Sequence, residues 1–283
     1  MKDFKLGVLL ESFQLPVKEA IKSAEKIGAD GVQIYGSTGQ FSPENLAGEK
    51  KKEFLSMLKD SGLAVSAVCG DFGHGFTNRD TNAEFIEKSK RVVDHALELG
   101  TNIVTTHIGV VPKDPNHDRY KIMQEACFEL ASYADSQNAF FAVETGPETS
   151  SVLKGFLDSL GSKGVSVNLD PANLIMVPGD DPVEAVYNLK DYIVHTHAKD
   201  GLQLKPVDPE VFYRATPFVE QITDFSSYCI EVALGQGAVK WADYLAALKD
   251  IGFNGYLTIE RECGETPIND IIIAADFLRN LGF

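Results

Sequence analysis

Glu144, Asp170, His197 and Glu260 are the residues of this chain best suited to chemistry. Each stands at the end of an apolar, β-type run: FFAVETG, VSVNLDPAN, IVHTHAKDG and YLTIERE. Three carboxylates and one imidazole brought to one point form an oxygen-rich site for a divalent cation. The bland reading is a buried salt-bridge network, yet no comparable number of Lys or Arg residues sits at the same strand ends. Clustered anions without cationic partners repel strongly, so metal binding is the expectation. A mixed oxygen and nitrogen set with open positions suits Mn2+, with Zn2+, Co2+ and Mg2+ as alternatives.

Convergence requires elements that aim these residues at one place. Residues two apart on a strand share a face, so Asn168 goes with Asp170, His195 with His197 and Thr258 with Glu260. Eight β-type runs recur along the chain: 4–10, 31–35, 64–70, 102–109, 139–146, 165–170, 192–200 and 255–262. Helical patterns separate them. Val17, Ala20, Ile21, Ala24 and Ile27 lie on one helical face, and Gly28 follows where a left-handed C-cap belongs. Thr81 with Glu84 predicts a capping box, and Asp181-Pro182 with Glu184 predicts another. Strict alternation of eight strands and about eight helices predicts one α/β domain over residues 1–283, a (β/α)8 TIM barrel. Its chemistry belongs at the C-terminal ends of the strands. Residues 201–238 lack clear periodicity, and on that rim they predict a lid or subunit contact. Phe212, Tyr213, Phe218 and Arg214 within them suit covering a polar substrate.

Smaller expectations attach to neighbouring residues. Glu11 ends the first strand and can reach a substrate or sit as a rim carboxylate. Lys199 can bind a hydroxyl or phosphate, or pair with Asp200, while Arg261 has the opposite parity from Glu260 and suits orienting other groups. His195 lies one inward position below His197, where it supports or packs rather than ligates. His95 and His117 read as solvated or structural, and Trp241 as core. The GDFGHG loop has no phosphate-loop lysine, so no nucleotide site is expected.

Bulk properties exclude some functions. A net charge of −15 disfavours nucleic acid, since phosphate binding needs clustered Lys and Arg. No apolar run approaches the roughly 20 residues of a membrane span, and LGVLL before Glu11 is too short for a signal peptide. Cys69, Cys127, Cys229 and Cys263 lie far apart without CxxC pairing, which predicts reduced thiols and a cytoplasmic setting.

With Glu144 in VETG, Asp170 in NLDPAN, His197 in HTHAKD and Glu260 in TIER, the chain resembles the xylose isomerase-like superfamily of sugar isomerases and epimerases. The resemblance covers nearly the whole chain. It implies that the four residues hold Mn2+ or a similar ion and that Glu144 and Glu260 form the proton-transferring pair. The implied reaction removes a proton beside a ketose carbonyl, passes through an enediolate, and returns a proton to give an epimer or an aldose–ketose isomer. Asn173 stands where some ketose 3-epimerases place a substrate-contacting histidine. CGDFGHGF and THIG also look like superfamily elements, which makes His74 and His107 substrate contacts or ligands of a second metal. The resemblance implies a small sugar or sugar derivative as partner, and self-association. The same fold also carries metal-dependent lyases acting on inososes or 3-keto-glycosides and DNA repair endonucleases, and a non-catalytic sugar-binding protein is a further alternative. Net charge and too few well-placed histidines weigh against the endonuclease.

Overall fold

Strands buried on both faces read as near-continuous apolar runs, and a closed ring of such strands organises the chain. The computed structural model describes residues 3–215 and 222–282, so Phe218 lies outside the described residues. The strands are β1 (Lys5–Leu9), β2 (Gly31–Tyr35), β3 (Ala64–Cys69), β4 (Ile103–Thr106), β5 (Phe140–Glu144), β6 (Val165–Leu169), β7 (Ile193–Ala198), β8 (Asp200–Gln203), β9 (Cys229–Val232) and β10 (Tyr256–Ile259). Eight of them close a parallel barrel in the order β1-β10-β7-β6-β5-β4-β3-β2, as the alternation predicted. The remaining two, β8 and β9, pair antiparallel as a separate ribbon.

Helices α1 (Val17–Lys26), α2 (Gly48–Asp60), α3 (Arg79–Glu98), α4 (Asp118–Ser136) and α5 (Ser150–Asp158) follow the first five strands. They continue with α6 (Pro171–Met176), α7 (Pro182–Leu189), α8 (Pro209–Phe212), α9 (Trp241–Asp250) and α10 (Pro267–Asn280). The apolar face of α1 is buried at Ala20, Ile21 and Ala24, and Gly28 closes it at φ +64°, a conformation that favours glycine. Leu6, Val8, Val32, Ile34, Phe141, Val143, Val167, Leu257 and Ile259 are buried in the same core, which joins the barrel to its helices. Among the described residues, no helix is long and apolar enough to cross a membrane.

Two expectations about elements change. The α3 cap is Asn78, whose side chain accepts from the Asp80 N–H at 3.0 Å, so the Thr81–Glu84 box does not open this helix. At Asp181 the N-cap half forms, its carboxylate accepting from the Val183 and Glu184 N–H groups, while the Asp181 N–H bonds to Asp180 Oδ1 rather than to Glu184. Residues 201–238 are more regular than their pattern suggested, because they carry most of the β8–β9 ribbon and the short α8. Asp200 anchors that ribbon. Its carboxylate accepts from the Gly201, Gly235 and Val239 N–H groups and from the Trp241 indole at 3.0, 2.9, 3.2 and 2.9 Å. The Asp200 carboxylate therefore serves the ribbon, and Lys199 finds other partners.

Candidate metal centre and pocket

Parallel strands of a closed barrel end at a common rim, and four of them deliver the residues singled out by type. Glu144 is the last residue of β5, Asp170 and Glu260 directly follow β6 and β10, and His197 is the penultimate residue of β7. One donor atom from each lies within 4.8 Å of the other three. A divalent ion bonding at about 2.0–2.2 Å would span ligands at roughly that separation. His197 Nδ1 faces Glu260, Asp170 and Glu144 oxygens at 3.1, 3.5 and 3.6 Å. Yet His197 Nδ1 and Asp170 Oδ2 are buried and have no hydrogen-bond partner. Buried polar atoms without partners are uncommon and costly, so the donor set fits a cation.

The surroundings fix each donor. His197 Nε2 lies 3.2 Å from both Gln33 Oε1 and Asn168 Nδ2, which fixes the ring with Nδ1 towards the carboxylates. Gln33 also receives His195 Nε2 at 3.0 Å. Thr258 Oγ1 lies 2.9 Å from that same nitrogen, and burial with neighbouring His197 lowers the His195 pKa to about 3. His195 is thus a neutral support. Glu144 accepts from Asn173 Nδ2 at 2.8 Å and Asn168 Nδ2 at 3.2 Å. Asp170 Oδ1 caps α6 by accepting from the Asn173 N–H at 2.9 Å, leaving Oδ2 for a ligand. Gln33 and Asn168 were missed as site residues. Both are polar residues inside apolar barrel strands, and Asn168 shares the Asp170 face, which is the signal that would have found them.

The expectation that the carboxylates lack cationic partners needs a correction at one of them. Lys199 is buried, with Nζ 3.2 Å from Glu260, paired to Glu262, and 4.0 Å from Glu231. Residues Ala198 and Ile259 are register partners, so the next residue of each chain segment stands side by side. Burial opposes ionisation of Glu260, but His197 and Lys199 outweigh it and hold its pKa below the ordinary range. Burial likewise opposes charge on His197, and Glu260, Glu144 and Asp170 override it to raise its pKa. A bound cation would take the place of that proton. Arg261 is engaged by Glu231 at 2.5 Å and Asp270 at 2.8 Å, so its guanidinium orients acidic groups, as its parity suggested.

A cavity of about 480 Å3 adjoins the cluster, with Asp71, His74, His107, Pro147, Tyr213 and Arg214 in its lining. The four cluster residues are not part of that lining; His107 stands between, with Nε2 3.8 Å from Glu144 Oε1. Its Nδ1 lies 3.0 Å from Asp71 Oδ2. Burial disfavours the imidazolium, but Glu144 and Asp71 raise the His107 pKa to about 9. His74 packs its ring on Phe85 at 4.7 Å, on a loop where a Cβ at Gly75 would meet Ile108 O at 2.7 Å. Glu11 Oε1 accepts from the Tyr35 N–H at 3.0 Å, its Oε2 is buried without a hydrogen-bond partner, and burial raises its pKa to about 7. His95 bonds to Phe41 O and His117 caps α4, so both are structural.

Glu148, also missed by the sequence reading, is buried beside this wall, its Oε2 accepting from the Val111 N–H at 3.1 Å. Burial pushes its pKa from 4.5 to about 8. Between those values the unfolded chain has released the proton that the native state keeps, so stability falls as pH rises from about 4.5 to 8. Glu148→Gln, uncharged throughout, is expected to gain on wild type steadily across that window. Urea midpoints at both ends measure the gain, and a pH-independent difference between the two proteins would contradict the assignment.

Residues 21–281 match the family described as xylose isomerase-like TIM barrel. Among solved structures, a xylose isomerase domain protein from Planctomyces limnophilus is 25% identical with a TM-score of 0.79, covering 98% of this chain and 96% of that one. The probable 3-DHS dehydratase AsbF from Bacillus anthracis is 18% identical, with a TM-score of 0.74 and coverage of 98% and 99%. The 3-keto-D-glucoside 4-epimerase YcjR from E. coli is 15% identical, with a TM-score of 0.72 and the same coverage. At those identities the last two speak to the fold.

Proposed function

Because the chain belongs to the xylose isomerase-like TIM-barrel family, we propose that it is a divalent-metal-dependent isomerase or epimerase moving a proton beside the carbonyl of a sugar or sugar derivative. The observation that carries this reading is the pair Glu144 and Glu260, buried at one barrel mouth around a shared imidazole. Glu144, Asp170, His197 and Glu260 would hold the cation, with Mn2+ favoured by the mixed oxygen and nitrogen donors. When bound, such an ion supplies Lewis acidity that makes the C–H beside a carbonyl easier to ionise.

The residues of the chain supply the rest. Two strands, β7 and β6, separate Glu260 on β10 from Glu144 on β5 around the ring. The two carboxylates therefore approach a substrate from different directions, which suits proton removal by one and return by the other. Asn168 and Asn173 orient Glu144, and Lys199 orients Glu260. The described parts of residues 201–238 bring Tyr213 and Arg214 to the cavity wall, in keeping with a cover over the substrate. Arg119 on α4 fastens that cover by pairing with Glu210.

A lyase is the second reading, and His107 favours it. A protonated imidazole beside Glu144 is placed to protonate a departing hydroxyl or alkoxide. Turnover of free ketoses, inososes and 3-keto-glycosides in deuterated buffer, with Mn2+ added and later stripped for NMR, separates these readings. The expected result is deuterium at one carbon of an altered sugar. Exchange with loss of water or an aglycone would move the assignment to the lyase. No exchange across the panel would remove the enzymatic reading and leave a binding protein.

A further inference from the structure

The cavity wall has an uneven distribution of charge that the proton-transfer pair does not use. Its single carboxylate among the described residues, Asp71, is fully engaged: Oδ1 accepts from the Gly73 N–H at 2.8 Å and Oδ2 meets His107 Nδ1 at 3.0 Å. Two other polar residues of the lining, Arg214 and His74, are less committed. Arg214 carries five N–H donors, and among the described residues it spends one, on Ile222 O at 3.2 Å, while its guanidinium lies 5.4 Å from the Phe225 ring. His74 makes no hydrogen bond among the described residues. Arg214 brings a permanent cation to the lining, with donors that no described residue accepts, in a chain of net charge −15.

Backbone conformation holds these groups at the wall. Arg214 has φ +53°, a left-handed conformation that side-chain-bearing residues rarely adopt. His74 sits between Gly73 at φ +75° and Gly75 at φ +59°, and the following Phe76 N–H bonds to Ile108 O at 2.9 Å. The loop is thereby pinned to the end of β4, and His74 lines the same cavity as Arg214.

We propose that the substrate is an anionic carbonyl compound whose carboxylate or phosphate is held by Arg214 and His74 while its carbonyl end lies towards Glu144. This rests on the proton-transfer reading and adds the substrate's charge class to it. A guanidinium presents parallel N–H groups that match two oxygens of one oxyanion, a geometry that a neutral sugar hydroxyl does not fill. A cavity of about 480 Å3 has room for a six-carbon acid or phosphate ester.

Calorimetric titration of the Mn2+-loaded protein with D-fructose, 5-keto-D-gluconate and D-fructose 6-phosphate tests the proposal. One or both charged ketoses are expected to bind at least about tenfold tighter than D-fructose, as charge-assisted hydrogen bonds would give. Preference for the acid or for the ester names the oxyanion. That ratio is expected to fall towards one in R214Q, to fall partly in R214K and H74Q, and to shrink at high NaCl in wild type. Unchanged thermal unfolding of the variants guards against a folding defect. Equal affinity for all three compounds, or an equal ratio in wild type and R214Q, would overturn the proposal. Deuterium exchange into a neutral ketose without any charge preference removes this inference alone. A charge preference with no exchange on any compound removes the proton-transfer reading instead.

Discussion

Glu144→Gln and Glu260→Gln are each expected to lower kcat/KM by roughly two to four orders of magnitude, the range lost with a positioned acid or base. Glutamine keeps the shape of glutamate and cannot accept a proton. The fold should survive at both positions for identifiable reasons. Among the described residues, Glu144 meets only the amides of Asn168 and Asn173 as donors within hydrogen-bond distance, and Asn168 Oδ1 is buried without a partner, so it can turn to receive a new N–H. At Glu260 the loss of charge leaves Lys199 with Glu262 and Glu231. Each variant would be assayed with saturating Mn2+, with bound metal measured separately, because both residues are also candidate ligands. Activity within a fewfold of wild type in a metal-loaded variant would take that glutamate out of the mechanism.

Asp200→Ala should destabilise the protein by about 3–5 kcal/mol, near the upper end of single-substitution effects. The substitution removes one buried acceptor and strands three backbone N–H groups and the Trp241 indole N–H together. Gly237 packs directly on this carboxylate, where an added Cβ would collide with Asp200 Oδ1, so the substitution also removes a packing partner. The urea midpoint should fall while the denaturant slope is kept. Activity should suffer beyond the loss of stability, because the released ribbon bears Glu231, a partner of both Lys199 and Arg261. A loss below about 1 kcal/mol would show that those donors find water or other acceptors.

Both expectations bear on what could be read in the chain alone. The barrel and its four rim residues were legible because each strand is short, apolar and closed by a polar residue at a fixed place. Partnership between neighbouring strands was harder. Lys199 meets Glu260 only because β10 inserts beside β7 in the ring, which one strand's alternation does not reveal. The α6 helix escaped notice for a related reason: its cap, Asp170, is itself a candidate ligand, and six residues leave little periodicity to detect. At α3, two overlapping capping patterns competed, and backbone geometry favoured Asn78 over Thr81. The β8–β9 ribbon is short and opens at Asp200-Gly201, so its strand signal is weak, although Asp200 holds it firmly.

The β1–β10 seam also sets the order of assembly. Lys5 pairs with Tyr256, and Asp3 meets Lys249 at 2.6 Å, so the seam joins segments some 250 residues apart. Contacts of such long range are slow to form, since the intervening chain must be brought round first. Glu144, Asp170 and His197 leave the ribosome well before Glu260 does, and they await it as a partial set. The fourth donor arrives with the strand that completes the ring. A cation held by all four donors would therefore need the completed barrel, because Glu260 follows the strand that closes the ring.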